Sequence, residues 1–402
     1  MTYELYVFAP PMAGPGRLLE AKSILCGRAL WNGSVGTFRY HGEWLSHPGG
    51  YDLDPVNLRR LSGDQHTRVN HGVAGALADA GPDAWGRKLL EMQRGVLDTP
   101  LEPLRLSNGD GTGALIFSES RTSPVPARQP VASATLGELE AAACGVDAGN
   151  PVSRPELEQL ILAGSPLGGA RPKVNVRMEG HEWIAKFQRG GDDMDIPRLE
   201  HACLTLAERC GLDVPTHQLV ELNGRSTLLV RRFDREGPRR LHYLSLHALL
   251  SAERVNATAV RAPVGAFTYG SLAATCRRVG VKDAGAILFR RMLFNVCIGN
   301  TDDHLRNHGL LFDGTWRHAP SFDLVGIGGN MQAIGIGTRG RERSIDNAMS
   351  DYGRFGLSED AADQTLDNVV RGLMDAEGVL DQARLPTAHV QTVLNRLLIG
   401  RD

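Results

Sequence analysis

Apolar and polar residues alternate at Val174, Val176 and Met178, and again at Trp183, Ala185 and Phe187. A period of two predicts two strands, and Glu179-Gly180 between them predicts a hairpin turn. Trp183, Ala185 and Phe187 share one face, so Lys186 points to the other. Upstream, Leu157, Leu160 and Ile161 predict a short helix over 155–162. Downstream, Leu199, Ala202, Cys203, Leu206 and Cys210 form the apolar stripe of a helix ended by Gly211. Asn223-Gly224 predicts a second hairpin, with its outgoing strand over 228–233. Nearer the start, 4–8 and 36–40 read as strands, and Asp83 is placed to cap a helix over 83–90. Beyond 235 the pattern is mainly helical, through an apolar stretch at 287–298 to a last helix over 387–398.

A chain of 402 residues is too long for one core and predicts two or three domains. The pattern divides into a strand-and-turn region at 1–118, a polar, proline-bearing linker or edge at 119–149, a small lobe at 150–235 and a helical lobe at 236–402. A net charge of -2, from 44 basic and 46 acidic residues, gives no strong field to attract nucleic acid or a membrane. The arginines at 231–232, 239–240, 277–278 and 290–291 come as doublets, which read as solvated surface. Six cysteines without a C-x-x-C pair, in mostly apolar surroundings, predict reduced buried thiols of a cytoplasmic protein. No apolar run reaches ~18 residues, so no membrane span is expected, and the first residues lack the pattern of a signal peptide.

The chemistry sits just past the 287–298 stretch. Asn300-Thr301-Asp302-Asp303-His304-Leu305-Arg306-Asn307 places Asp302 and Asn307 in a D-x-x-x-x-N spacing, which Asp303 does not share. Phosphoryl transfer to a hydroxyl needs an Asp to orient and deprotonate it, and an Asn and a further Asp to hold Mg²⁺ on the nucleotide phosphates. Asp323, in Ser321-Phe322-Asp323-Leu324, supplies the third group. Upstream, Gly168-Gly169-Ala170-Arg171-Pro172-Lys173 enters a strand and Lys186 lies on the next one. Glycines let backbone N–H groups approach phosphates, and lysine adds a compact cation. Glu200 is placed to pair with Lys186, although a lone Glu is as readily a solvated surface group.

Several segments in order resemble the HipA family of bacterial serine/threonine kinase toxins. They are Gly168 through Lys173, Trp183 through Phe187, Arg232-Phe233-Asp234-Arg235, Gly299 through His304, and Ala319 through Asp323. Glu43-Trp44-Leu45 and Gly81 through Arg87 resemble that family's small N-terminal subdomain, so the likeness spans most of the chain. The resemblance implies an α+β, bilobal kinase-like fold of the phosphoinositide-kinase-like kind, with a β-rich N-terminal subdomain over 1–118 and a mainly helical C-terminal lobe. It implies ATP and Mg²⁺ as cofactors and a cytoplasmic serine/threonine protein kinase acting as a toxin. Its substrate would be a cellular protein, with aminoacyl-tRNA synthetases among the targets in the family. Its partner would be a HipB-like helix-turn-helix antitoxin, through which alone it would meet DNA. Position by position, Asp302 matches the catalytic base, and Asn307 and Asp323 match the metal ligands. Gly168, Gly169, Ala170, Arg171 and Lys173 match the phosphate loop, and Lys186 the ATP-phosphate lysine. Arg231, Arg232 and Phe233 match the adenine-side connection, and His304 lies in a nucleotide-contacting segment.

One departure bears on regulation. Many relatives carry two serines before the loop, the second open to autophosphorylation; here the pair is Ser165-Pro166. Pro166 has no hydroxyl, which leaves Ser165 as the candidate position. Other readings compete. Asp302 alone reads as a cap for a helix starting at Asp303. His304 and His308 with Asp302 read as metal ligands if the segment is helical, a weaker pattern because no H-E-x-x-H is present. The same scaffold also suits transfer of AMP, or a catalytically idle corepressor module.

Overall fold

The computed structural model describes residues 2–14, 17–18, 22–107, 111–124, 131–132, 136–164, 169–250 and 267–400. Ser165, Pro166 and Gly168 lie outside the described residues. The chain divides into two compact units. One comprises Met1–Gly190, Arg231–Arg254 and Gly309–Arg317; the other comprises Gly191–Val230, Val255–His308 and His318–Asp402.

The first unit opens on an antiparallel five-stranded sheet. Its order is Gln65–Thr67, Gly36–Tyr40, Ile24–Trp31, Tyr3–Ala9 and Ile116–Ser118. Alternation buries Leu5, Val7, Cys26, Phe38 and Tyr40 beneath it. The helix Ala84–Arg94 starts where expected, with Asp83 accepting from the Gly86 amide at 2.8 Å. It stops at Gly95, whose φ of 84° suits glycine. The helix Arg154–Ala163 begins with a full capping box from Ser153 and Glu156.

Lys173–Met178 and His181–Phe187 then form the expected antiparallel hairpin. Its turn residues Glu179 and Gly180 both have positive φ, 52° and 77°. Val174, Val176, Trp183, Ala185 and Phe187 make one buried apolar face.

In the second unit, Ile196–Arg209 carries the expected stripe of Leu199, Ala202, Cys203 and Leu206, all buried. Asp195 caps it, and Gly211 follows with φ 75°. Glu200 is only 4% exposed, so it is not a solvated surface group. His217–Leu222 and Arg225–Arg231 close on Asn223-Gly224, at φ 50° and 74°. The core helix Ala284–Ile298 is buried around nearly its whole circumference. Glu359–Leu373 packs an amphipathic face through Ala362, Leu366, Val369 and Leu373.

The region after 235 is mainly helical, as expected, and also carries a short antiparallel pair, His242–Ser245 with Gly309–Phe312. Four-residue strands are too short to leave a clear period in the sequence. The last helix ends at Leu394 rather than 398. All six cysteines are free thiols, five of them buried. Burial pushes Cys203, Cys210, Cys276 and Cys297 up to about 12, which keeps them as inert thiols. Among the described residues, no helix is long and apolar enough to cross a membrane.

Candidate active site

The acidic cluster grows out of the end of the core helix. Gly299 takes a left-handed conformation, φ 73°, and turns the chain away from Ile298. Arg343 reaches the freed carbonyls: its Nε donates to the Val296 carbonyl at 2.8 Å. The loop is then fastened to the 323–329 segment. The Gly328 amide donates to the Gly299 carbonyl at 2.9 Å, and Thr301 Oγ1 donates to the Gly328 carbonyl at 2.8 Å. Asn300 Nδ2 donates to the Asp323 carbonyl at 3.4 Å. These ties bring together two sequence segments, each carrying an expected metal ligand.

The two adjacent acids part company here. Asp302 is exposed, whereas Asp303 is 2% exposed. Asp303 accepts from the buried Tyr269 hydroxyl. His308 Nε2 also lies 3.0 Å from Asp303 Oδ1, off line for a hydrogen bond. Asp302 does not cap a helix: a single 3₁₀ turn, Leu305–Asn307, follows, with His304 at its N-cap position. Asn307 Nδ2 donates to the Asp302 carbonyl at 3.2 Å. That bond leaves the Asn307 side-chain oxygen as the atom available to a cation.

Asp323 sits half-buried in the left-handed region at φ 56°. Such a conformation is uncommon for a residue with a Cβ and is found often at functional sites. His304 is half-buried, and its Nδ1 is buried without a partner. The His304–His308 metal reading fails because the segment is not α-helical. Among the described residues, no group of three or more His, Cys, Asp or Glu side chains is placed to hold a metal ion. Asn307 and Asp323 each carry a side-chain oxygen, the donor type that Mg²⁺, a hard cation, takes.

A separate basic cluster belongs to the first unit, on the polar face of the 173–187 hairpin. Lys186 is directly opposite Lys173 in the register, so both side chains stand on one face, with Glu182 farther along it. Lys186 is half-buried. Lys173 Nζ lies 2.6 Å from Asp83 Oδ2, with the two side chains 3% and 4% exposed. The same ammonium donates to the Gly169 carbonyl at 3.3 Å, and that carbonyl also accepts from the Trp85 amide at 3.3 Å. Asp83 thus caps a helix and anchors the exit of the glycine loop, a role that 90 residues of separation hid in the sequence. Gly169 and Ala170 are exposed, and Arg171 is half-buried. Lys173, expected in the phosphate loop, is buried here against Asp83.

Arg232 is a second expected nucleotide contact found inside. Its side chain is fully buried and pairs with Asp234 at 2.8 Å, while Arg235 pairs with Asp234 at 2.9 Å. Both guanidinium groups donate to the Gly111 carbonyl at 3.0 Å, and Asp234 accepts from the Gly113 amide at 2.7 Å. Burial alone would raise the Asp234 carboxyl, but Arg232 and Arg235 outweigh it and hold it well below the usual range. Arg231 and Phe233, on either side of Arg232, are half-buried.

Residues 165–376 match the HipA-like C-terminal domain. The chain is 28% identical over 202 residues to Putative kinase Y4dM of Sinorhizobium fredii, covering 43% of this chain and 46% of that protein. It is 30% identical over 127 residues to Putative kinase Y4mE of the same organism, covering 30% of each. The chain thus spans about half or less of the length of these curated relatives. Among solved structures, HipA of Shewanella oneidensis, determined with HipB and its operator DNA, covers 93% of this chain and 94% of its own. Its TM-score is 0.66 at 20% identity, a likeness of fold, and it carries the expected bilobal, kinase-like α+β class. With more than half of its length inside the family's domain, the chain belongs to the HipA family.

Proposed function

We propose that this chain is an ATP- and Mg²⁺-dependent serine/threonine protein kinase that serves as the toxin of a toxin–antitoxin pair. The observation that carries the reading is the contrast at 302–307. One acid stands exposed beside a buried, hydrogen-bonded neighbour, and the Asn307 amide is folded back onto the loop. In this reading Asp302 accepts the proton of the acceptor hydroxyl and aims that oxygen. Asn307 and Asp323 hold Mg²⁺, which would neutralise charge on the nucleotide phosphates. Lys186 and the backbone of Gly168 to Arg171 embrace those phosphates, while Arg231, Phe233 and His304 border the nucleotide. Lys173 and Arg232 act one step back, by fixing the loop and the connection on which these contacts stand. The substrate is a hydroxyl of a cellular protein, with an aminoacyl-tRNA synthetase as the first to test. The partner is a small helix-turn-helix antitoxin, and DNA is met through it.

Incubation with Mg²⁺-ATP followed by intact-mass analysis of the chain and of synthetase substrates tests the chemistry. Addition of phosphate supports the reading. Addition of AMP assigns the scaffold to nucleotidyl transfer, and failure to bind ATP at all removes the enzyme reading. Peptide mass spectrometry over 155–175 tests Ser165 as an autophosphorylation site. A phosphate there would put about -1.5 to -2 charges where the ATP phosphates must sit, and should silence the enzyme. With no phosphate there, control would rest on the antitoxin.

A further inference from the structure

Joined to the Asp302 and Asp323 segments runs a buried chain of hydrogen bonds. Asn300 Nδ2 donates to Asn295 Oδ1 at 3.1 Å, and Asn295 Nδ2 donates to the Tyr269 hydroxyl at 3.1 Å. Tyr269 in turn donates to Asp303. Asn295 and Tyr269 are 0% exposed, and Asn300 and Asp303 are 2% exposed. Every link has a donor facing an acceptor, and the donors all run one way, ending on a carboxylate. Both ends of this chain are attached to the site. At one end Asn300 also holds the Asp323 carbonyl. At the other, Asp303 immediately follows Asp302. Tyr269 is itself fixed to the fold, because its amide donates to the Gly335 carbonyl at 2.9 Å and its ring meets His308 edge-on at 5.2 Å.

Building such a chain requires four polar groups to be desolvated, which is unfavourable unless each is satisfied. Packing the end of the core helix does not demand it, since apolar side chains would fill the space. We propose that Asn300, Asn295, Tyr269 and Asp303 are positioning residues that set the distance between the Asp302–Asn307 loop and the Asp323 segment, and so tune the affinity for the divalent cation. Outer partners of metal ligands act in this way, by fixing the orientation of groups they do not replace. The inference rests on the kinase reading above, since it assumes that Asn307 and Asp323 receive Mg²⁺.

The test is ATP binding by calorimetry across a Mg²⁺ titration, in wild type, Tyr269→Phe, Asp303→Ala and Asp303→Asn. Tyr269→Phe deletes one hydroxyl from the middle of the chain and keeps the ring, so it is expected to fold. It should need about tenfold more Mg²⁺ for half-maximal enhancement of ATP binding, with binding in excess chelator unchanged. Asp303→Ala should shift the requirement similarly. Asp303→Asn, which still offers an oxygen to Tyr269, should restore most of the wild-type requirement. A purely structural role would lower the melting temperature and leave the Mg²⁺ requirement where it was; that result in Tyr269→Phe overturns the proposal. Wild type failing to bind ATP would instead overturn the kinase reading, and this inference with it.

Discussion

The acidic cluster of the second unit and the basic cluster of the first are built on different electrostatic plans. Around Asp302 and Asp323 the buried support includes the neutral amides of Asn295 and Asn300. Around Lys186 the buried groups are ions: Lys173 on Asp83, and Arg232 and Arg235 on Asp234. An acid that must attract a divalent cation is weakened by any cation beside it, so neutral donors are the suitable scaffold. Cations kept inside a fold have no such freedom. Each requires an acid to offset its loss of water, and the pair then becomes a rigid fastening. Position in the sequence does not distinguish a working charge from a fastening one; burial and partner do.

The largest effect that this contrast predicts concerns the two adjacent acids. Asp302→Asn should slow phosphate transfer by ~10²–10⁴-fold, with folding unchanged. Asp303→Asn, a change to a buried and hydrogen-bonded group, should keep most of the transfer rate. Radiolabelled ATP transfer by the purified variants measures both. If Asp303→Asn were inactive and Asp302→Asn active, exposure would be the wrong guide and the assignment would reverse.

Next comes the fastening on the basic side. Asp83→Ala leaves the Lys173 ammonium buried without its acid and should cost about 3–5 kcal/mol, read from denaturant unfolding. Part of that loss is the helix cap, worth ~1 kcal/mol. Adding Lys173→Met to Asp83→Ala should recover most of the remainder, because no charge is then stranded. If the double variant were no more stable than Asp83→Ala alone, Lys173 would not be the group that Asp83 stabilises.

How much of this was legible follows the range of the interactions. The hairpins at 179–180 and 223–224, the Asp83 cap and the 199–206 stripe are local, so their residues announce them. Asp302, Asn307 and Asp323 were singled out because phosphate chemistry restricts both residue type and spacing, and their roles belong to the proposal. The Asp83–Lys173 pair, the ties from Arg232, Arg235 and Asp234 to Gly111 and Gly113, and the Tyr269–Asp303 bond were not. They join positions 34 to 124 residues apart, and no local period records such a distance. A cation in a binding motif reads alike whether it faces a phosphate or a buried carboxylate, and the carboxylates beside Lys173 and Arg232 are visible only in the fold.

A smaller effect separates the metal from the nucleotide. Asn307→Ala or Asp323→Ala should raise the Mg²⁺ needed for ATP binding by about tenfold or more, since loss of an inner ligand costs at least as much as loss of an outer one. Lys186→Met, in the basic cluster of the first unit, should weaken ATP binding with and without Mg²⁺ alike. Calorimetry at several Mg²⁺ concentrations distinguishes the two patterns. An unchanged Mg²⁺ requirement in Asp323→Ala would take that residue out of the cation site, whatever its backbone conformation.

The mildest test uses pH, and it reaches both units. Burial holds His242, in the first unit, down to about 4, although its Nε2 donates to the Leu53 carbonyl at 2.7 Å. Burial, with Arg291 and His308 nearby, holds His318 of the second unit down to about 3. His201 sits at about 4 through burial and the neighbouring His217. An unfolded histidine takes up its proton near pH ~6.5, so below that pH the unfolded chain binds protons that the folded chain refuses. Stability should therefore be level above about pH 6.5 and fall as the pH drops toward 4, by up to ~1.4 kcal/mol per pH unit for each of the buried His242 and His318, and by less for the partly exposed His201, whose contribution solvent screens. Asp234 acts in a lower window. Its depressed carboxyl contributes fully above the ordinary carboxylate range near ~3.9 and is lost only below it. Urea unfolding of wild type and His242→Phe at a series of pH values should show a shallower slope for the variant between about 6.5 and 4, whatever its stability at pH 7, with the two slopes converging below the histidine window. Parallel slopes across that whole range would mean that His242 is protonated inside the fold, and that its ring is not held neutral by burial.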